Sequence, residues 1–158
     1  IGATKLREFR TLGIVLGMRY EDSPIIVPDG SAPPVEHFML YVPSAHPGCL
    51  APHRWLADGS SLYDHFGQGF TLLATAGDGA EAAPLIAAAR RLGVPLKLLL
   101  PGDRRLPARY GARFALIRPD QHVAWRGDAL PADCEALLAI VTGRRKLEAA
   151  IGIPATAA

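Results

Sequence analysis

Cys49 and Cys134 are the only two cysteines among 158 residues, and they lie far apart in the chain. Neither has the close partner of a dithiol motif or a zinc knuckle, and two thiols do not make a disulfide framework. Cys49 is flanked by His46 and His53, a spacing that could chelate zinc if a fourth ligand came from elsewhere. Structural zinc sites usually bring paired ligand clusters, and Pro47 and Pro52 stiffen this loop, so hydrogen bonding is the simpler role for both histidines. Ser60, Ser61, Asp64 and His65 have the residue types of hydrolytic chemistry, but no G-x-S-x-G elbow exposes a nucleophile. A turn and a helix cap over 58–61 account for them better. Dinucleotide binding needs a strand, G-x-G-x-x-G and a helix, in that order. Gly67-Gln68-Gly69 is the candidate, yet Leu72 stands three beyond Gly69 and the strand follows the glycines, so a tight turn is expected. Gly102-Asp103 runs into Arg104-Arg105-Leu106 and reads as loop. The arginines at 104, 105, 109, 113 and 118 are diluted by Asp103 and Asp120, which points to a solvated face.

The formal charge is +2, from 17 Lys and Arg against 15 Asp and Glu. That excess argues against nucleic acid and against an anionic membrane as partners. Apolar residues make up 49% and charged residues 20%, as in a globular domain, and the length suits one core. No stretch is long and apolar enough to span a bilayer, and the N-terminus lacks a signal-peptide pattern. With two isolated cysteines, a reducing cytoplasmic location is expected. There is no internal repeat. The first residue is Ile1 rather than methionine, which fits a piece of a longer polypeptide as well as processing or a numbering choice.

The elements that must position these residues follow from periodicity. Residues 1–11 read as a linker. Apolar residues at 12, 14, 16, 18 and 20 alternate with Gly13, Val15, Gly17 and Arg19, the pattern of a strand whose glycine face admits a close neighbour. Four prolines between 22 and 34 make an extended arm, and 38–42 could be a short strand. Residues 61–66 could be one turn of helix. The run at 70–74 is a buried strand, and 80–92 has helical spacing with Pro84 near its start and Gly93 as a stop. Residues 95–100 form the next strand, 101–111 a loop, and 114–117 and 123–125 a hairpin around Pro119-Asp120-Gln121-His122. Residues 133–142 form a helix with Asp133 as N-cap and Gly143 as C-cap, and 144–158 a basic patch and frayed tail. Strand, helix, strand, hairpin, helix is an α/β plan of thioredoxin type, with a mixed sheet and an extended N-terminal arm. The expected division is 1–44 for linker, strand and arm, 45–143 for the thioredoxin-like domain, and 144–158 for the tail. Trp55, Phe66, Phe70, Phe114 and Trp125 are expected in the core, with one or two free to face a partner.

The run 48–52 with Leu56, Asp58-Gly59, Leu62, Asp64 and Gly67 resembles the opening of peroxiredoxin-like domains. A longer and more specific resemblance runs through YEDSPIIVPDG (20–30), AHPGCLAPHRWLADGSSLYDHFGQGFTLL (45–73) and RPDQHVAWRG (118–127). These segments resemble the C-terminal region of FAD-dependent aromatic-ring hydroxylases, the phenol, chlorophenol, hydroxyphenylpropionate and polyketide types. The resemblance spans roughly 12–143. It implies a parent enzyme that uses FAD and NAD(P)H to hydroxylate a phenolic ring, with both cofactors held by earlier domains and none by this chain. It implies that this chain has no catalytic, cofactor-binding or metal-binding residue and is inert alone. Its partners would be the FAD-binding and substrate domains of the same polypeptide, with a homodimer contact as a further expectation. Trp125 and Arg126, in the hairpin, are the candidates for interdomain contact.

Two other readings stay open at this point. One is a stand-alone, redox-dead thioredoxin-like binding module. The other is a thiol oxidoreductase, which would need a cysteine at the helix N-terminus after the first core strand, where the helix dipole lowers a thiol pKa. Residues 75–83 occupy that place and contain none.

Overall fold

A computed structural model describes residues 11–20 and 22–145. Residues 1–10 of the expected linker and 146–158 of the expected tail lie outside the described residues.

The centre is a four-stranded sheet in the order β2-β1-β3-β4, formed by β1 (Phe70–Ala74), β2 (Leu96–Leu99), β3 (Phe114–Ile117) and β4 (Val123–Gly127). β1 and β2 are parallel, with Leu72 opposite Leu98, while β1–β3 and β3–β4 are antiparallel. Both faces of the inner strands are covered, which is why they read as continuous apolar runs. Leu72, Ala74, Phe114 and Leu116 face one core, shared with α2 (Ala83–Leu92) and α4 (Cys134–Val141). Leu73, Ala115, Ile117 and Val123 face the other, shared with Leu62, Leu106 and Tyr110.

Local signals account for most of these elements. α2 is preceded by a 3-10 turn, Ala80–Ala82, in which Asp78 accepts a hydrogen bond from the Ala80 N–H at 3.0 Å. Pro84 falls in the first turn of α2, and Gly93 closes it in the left-handed conformation. Asp133 caps α4 by accepting from the Ala136 N–H at 2.8 Å; the C-cap is Thr142, with Gly143 left-handed just beyond it. The expected turn at 61–66 is a 3-10 helix, Leu62–His65, with Ser61 and Asp64 forming a capping box.

Four expectations fail. The segment expected as a strand at 12–20 contains helix α1 (Leu12–Gly17). Leu12, Val15 and Leu16 are also one helical turn apart, and the one bridge from this segment among the described residues, Arg19 to Cys49, is too little to hold a ladder. Gly13 does admit a close neighbour: a Cβ there would sit 1.6 Å from the His37 carbonyl oxygen. Residues 38–42 are irregular rather than a strand. The loop expected at 101–111 holds helix α3 (Leu106–Tyr110), whose Leu106 and Tyr110 bury the same face one turn apart, with Pro107 in the first turn and Gly111 left-handed at the end. Trp55 is not core. It is 65% exposed, beside the bridge to Ser61, with its ring edge-on to His53.

Candidate interdomain interface

The register of β3 and β4 shifts between Leu116 and Ile117: Leu116 pairs with Trp125 and Ile117 with Val123, leaving Ala124 as the extra residue of a β-bulge. The bulge turns the Ala124 carbonyl outward, where it accepts the Val27 N–H at 2.8 Å. Ile26 and Val27 are thereby drawn into the core. Immediately after the bulge, Trp125 is 8% exposed and lies over Gly127, where a Cβ would meet the indole Cζ2 at 2.7 Å. Arg126 donates from Nε to Asp29 Oδ2 at 2.6 Å, from Nη1 to the Tyr110 carbonyl at 2.9 Å and from Nη2 to Ser31 Oγ at 3.1 Å. Asp29 also accepts the Ser31 N–H and hydroxyl on Oδ1, and Ser31 Oγ lies 2.9 Å from His46 Nδ1. Burial works to raise the Asp29 pKa, but Ser31 and Arg126 together hold it below the usual 3.8. The two hairpin candidates are thus engaged within the domain: Trp125 packs in the core and over Gly127, and Arg126 fastens the N-terminal arm to the sheet.

The other reactive residue types are similarly engaged. Cys49 and Cys134 are both buried and are not joined in a disulfide. Cys134 is the first residue of α4, but burial and then the neighbouring Asp133 push its thiol up, opposite to what a nucleophile needs. His53 Nε2 lies 3.0 Å from Ser61 Oγ and His65 Nε2 lies 2.7 Å from Ser60 Oγ. Ser60 gives its proton to Asp58 at 2.6 Å, so the carboxylate holds the serine rather than the imidazole and no triad results. Among the described residues no group of three or more His, Cys, Asp and Glu is placed to hold a metal ion. Arg105, Arg113 and Arg118 pair with Asp103, Glu81 and Asp120.

Gly69 precedes β1, and a Cβ there would lie 2.5 Å from the Pro95 carbonyl oxygen, so this glycine serves the β1–β2 approach. Sequence reasoning missed a second candidate. Gly77-Asp78-Gly79-Ala80-Glu81-Ala82 does follow a strand and open a helix, as a G-x-G-x-x-A fingerprint should. The geometry does not suit a pyrophosphate. A Cβ on Gly79 would meet the Leu98 and Leu100 side chains at 3.0–3.1 Å, so the space is already filled by apolar carbon. The adjoining cleft brings Asp78 and Asp103 together with Arg104, so its lining has no net positive charge to draw an anion. At this fingerprint Gly79 serves packing against leucine side chains rather than the open cradle a pyrophosphate needs.

A different surface is unpartnered. Of the eleven large hydrophobic residues exposed among the described residues, nine lie within 12–42, and no residue of α1 is buried. α1 and residues 34–44 enclose a groove of about 460 Å³, lined mainly by apolar side chains and floored by Cys49. Clusters of this kind on a folded chain mark contact surfaces. Among the described residues no helix is long and apolar enough to cross a membrane.

Residues 44–145 match the family model for the aromatic-ring hydroxylase C-terminal domain. The chain belongs to the aromatic-ring hydroxylase C-terminal family. It is 38% identical over 135 residues to the FAD-dependent monooxygenase apdD of Emericella nidulans, covering 80% of this chain and 22% of that protein. It is 35% identical over 138 residues to aklavinone 12-hydroxylase RdmE of Streptomyces purpurascens, covering 78% of this chain and 25% of that one. In structure it superposes on RebC-10x, solved native and K252c-bound, with TM-score 0.78 and 37% identity over 88% of this chain and 26% of that one. The hydroxylase-family chain therefore spans about a quarter of the length of the curated relatives it matches. The match to apdD covers 80% of the 158 residues, about 126, more than the family-model segment and the 13 residues after it can supply together, so part of the arm is shared with that relative.

Proposed function

We propose that this chain is the C-terminal structural domain of an FAD- and NAD(P)H-dependent aromatic-ring monooxygenase, inert by itself and acting as a brace for the flavin- and substrate-binding parts of the same polypeptide. The observation that carries this reading is the family match at a quarter of the relatives' length, joined to a structure whose chemically competent side chains are tied up in caps, turns and ion pairs. We read the sheet as thioredoxin-like: the order β4-β3-β1-β2, a single parallel pair joined by α2, and α4 beside α2 on one face follow that plan. On this reading 1–44 is linker and arm, 45–143 the domain and 144–158 its tail. Trp125 and Arg126 serve the interdomain contact by fixing the arm that carries it.

The test is the coding sequence upstream of Ile1, together with the flavin content of its product. An open frame of several hundred codons leading back to a glycine-rich FAD motif, and a purified product that carries flavin, are the expected results. A start codon immediately before Ile1 would transfer the reading to a stand-alone binding module.

A further inference from the structure

We propose that the apolar face formed by α1 and residues 33–42 is the surface that docks on the flavin- and substrate-binding portion of the same polypeptide, and that its occupant is an uncharged apolar segment of that portion. The inference rests on the proposed function and adds the face and the chemistry of its partner.

Three observations lead to it. The exposed apolar residues are segregated: Leu12, Ile14, Val15, Phe38, Leu40 and Val42 are each more than half exposed, whereas the inner strands and the α2–α4 layer hide theirs. A six-residue helix with no buried residue has too few hydrogen bonds to stand on propensity, so α1 needs a surface beyond the one Gly13 gives it against residues 37–40. The face is also firmly presented. The Tyr20 N–H donates to the Gly48 carbonyl at 3.0 Å, the Val27 N–H to Ala124, and Asp29 is clamped by Arg126. A solvated tail would have no use for such anchors.

The chemistry of the partner follows from the rim. Arg19 Nη2 lies 3.2 Å from Glu36 Oε1, and Arg19 Nη1 donates to the Pro34 carbonyl at 3.0 Å, so the charges at the groove edge answer each other. An apolar groove with an internally neutralised rim selects apolar contact over a charged segment. The location selects the occupant. The face lies on the N-terminal side of the family-model match at 44–145, next in sequence to where the relatives carry the remaining three-quarters of their length.

The experiment is hydrogen–deuterium exchange on the full polypeptide encoded by the gene and on this 158-residue chain alone. Amides of 12–18 and 35–42 are expected to exchange at least about tenfold more slowly in the full polypeptide, while 70–74 and 114–117 are unchanged. Equal exchange at 12–18 and 35–42 in a full-length flavoprotein overturns the docking face and leaves the proposed function standing. A gene that encodes no flavoprotein overturns both. The full polypeptide, in which the face is expected to be covered, is also run in sedimentation equilibrium and with phosphatidylcholine vesicles. Self-association lost in Phe38→Glu, or vesicle binding lost in Phe38→Glu, assigns the face to a second copy or to a lipid surface and overturns the proposal.

Discussion

The tripeptide Asp-Gly-Ser occurs at 29–31 and again at 58–60, and both copies fold into the same turn. Gly30 and Gly59 have φ of +76° and +83°. In each, the serine N–H donates to the aspartate at 2.9 Å and the hydroxyl at 2.6 Å, and a histidine nitrogen lies within 2.9 Å of the serine oxygen. The turns differ in what they touch. Asp29 has Arg126 on its second oxygen and a side chain only 14% exposed, and the two residues before the turn's proline, Ile26 and Val27, are core. Asp58 is exposed, and its pKa is lowered chiefly by the Ser60 hydroxyl. Local chemistry makes the turn; a partner distant in sequence makes one copy an anchor and leaves the other a connection.

The largest expected effect is that of Arg126→Ala, which removes three charge-assisted hydrogen bonds and leaves Asp29 without its cation. It should destabilise the chain by about 2–3 kcal/mol in chemical denaturation. Asp29→Ala should cost about 1–2 kcal/mol, and the double variant should cost less than the sum, giving a favourable coupling in a double-mutant cycle. Gly30→Ala and Gly59→Ala should each cost about 1–2 kcal/mol, and the same within error, because both are left-handed with no atom within 4 Å of an added Cβ. Unequal costs would break the claim that the turns are locally equivalent. The pH dependence is a finer test. The folded pKa of Asp29 is below 3.8, so its contribution is fully present above that value and is lost as the pH falls through the folded pKa. The stability gap between the parent chain and Asp29→Asn should therefore be constant near neutral pH and narrow only below about pH 4. Asp58→Ala, at an exposed site with no partner distant in sequence, should lower the denaturation midpoint by less than Asp29→Ala.

The anchored turn also shows where sequence reading stops. β1, α2, β2, the hairpin and α4 were legible because their signals are local: short apolar runs between turn residues, Pro84 at a helix start, Gly93 and Gly143 at helix ends, Asp133 as a cap. α3 was legible in principle, since Leu106 and Tyr110 are four apart, with Pro107 in the first turn and Gly111 after the last, but three arginines in the stretch masked the pattern. α1 was not. Alternating apolar residues with interspersed glycines suit a strand, and only the absence of a neighbouring ladder and the seat on residues 37–40 favour a helix. Trp125 and Arg126 were identified from the hairpin, yet their engagement with the arm depends on a bulge and on a partner 97 residues away.

By itself, the sequence determined the hydroxylase family, the order of the central elements and the lack of a thiol at the strand–helix junction. Each of these is written in residue types within a few positions of one another. Tertiary structure alone decided that Gly79 packs against leucines rather than a phosphate, that Arg126 points inward to hold the arm, and that the apolar residues of α1 and of 35–42 are left exposed. Those outcomes depend on which distant surfaces meet, and burial and charge pairing are settled only when they do.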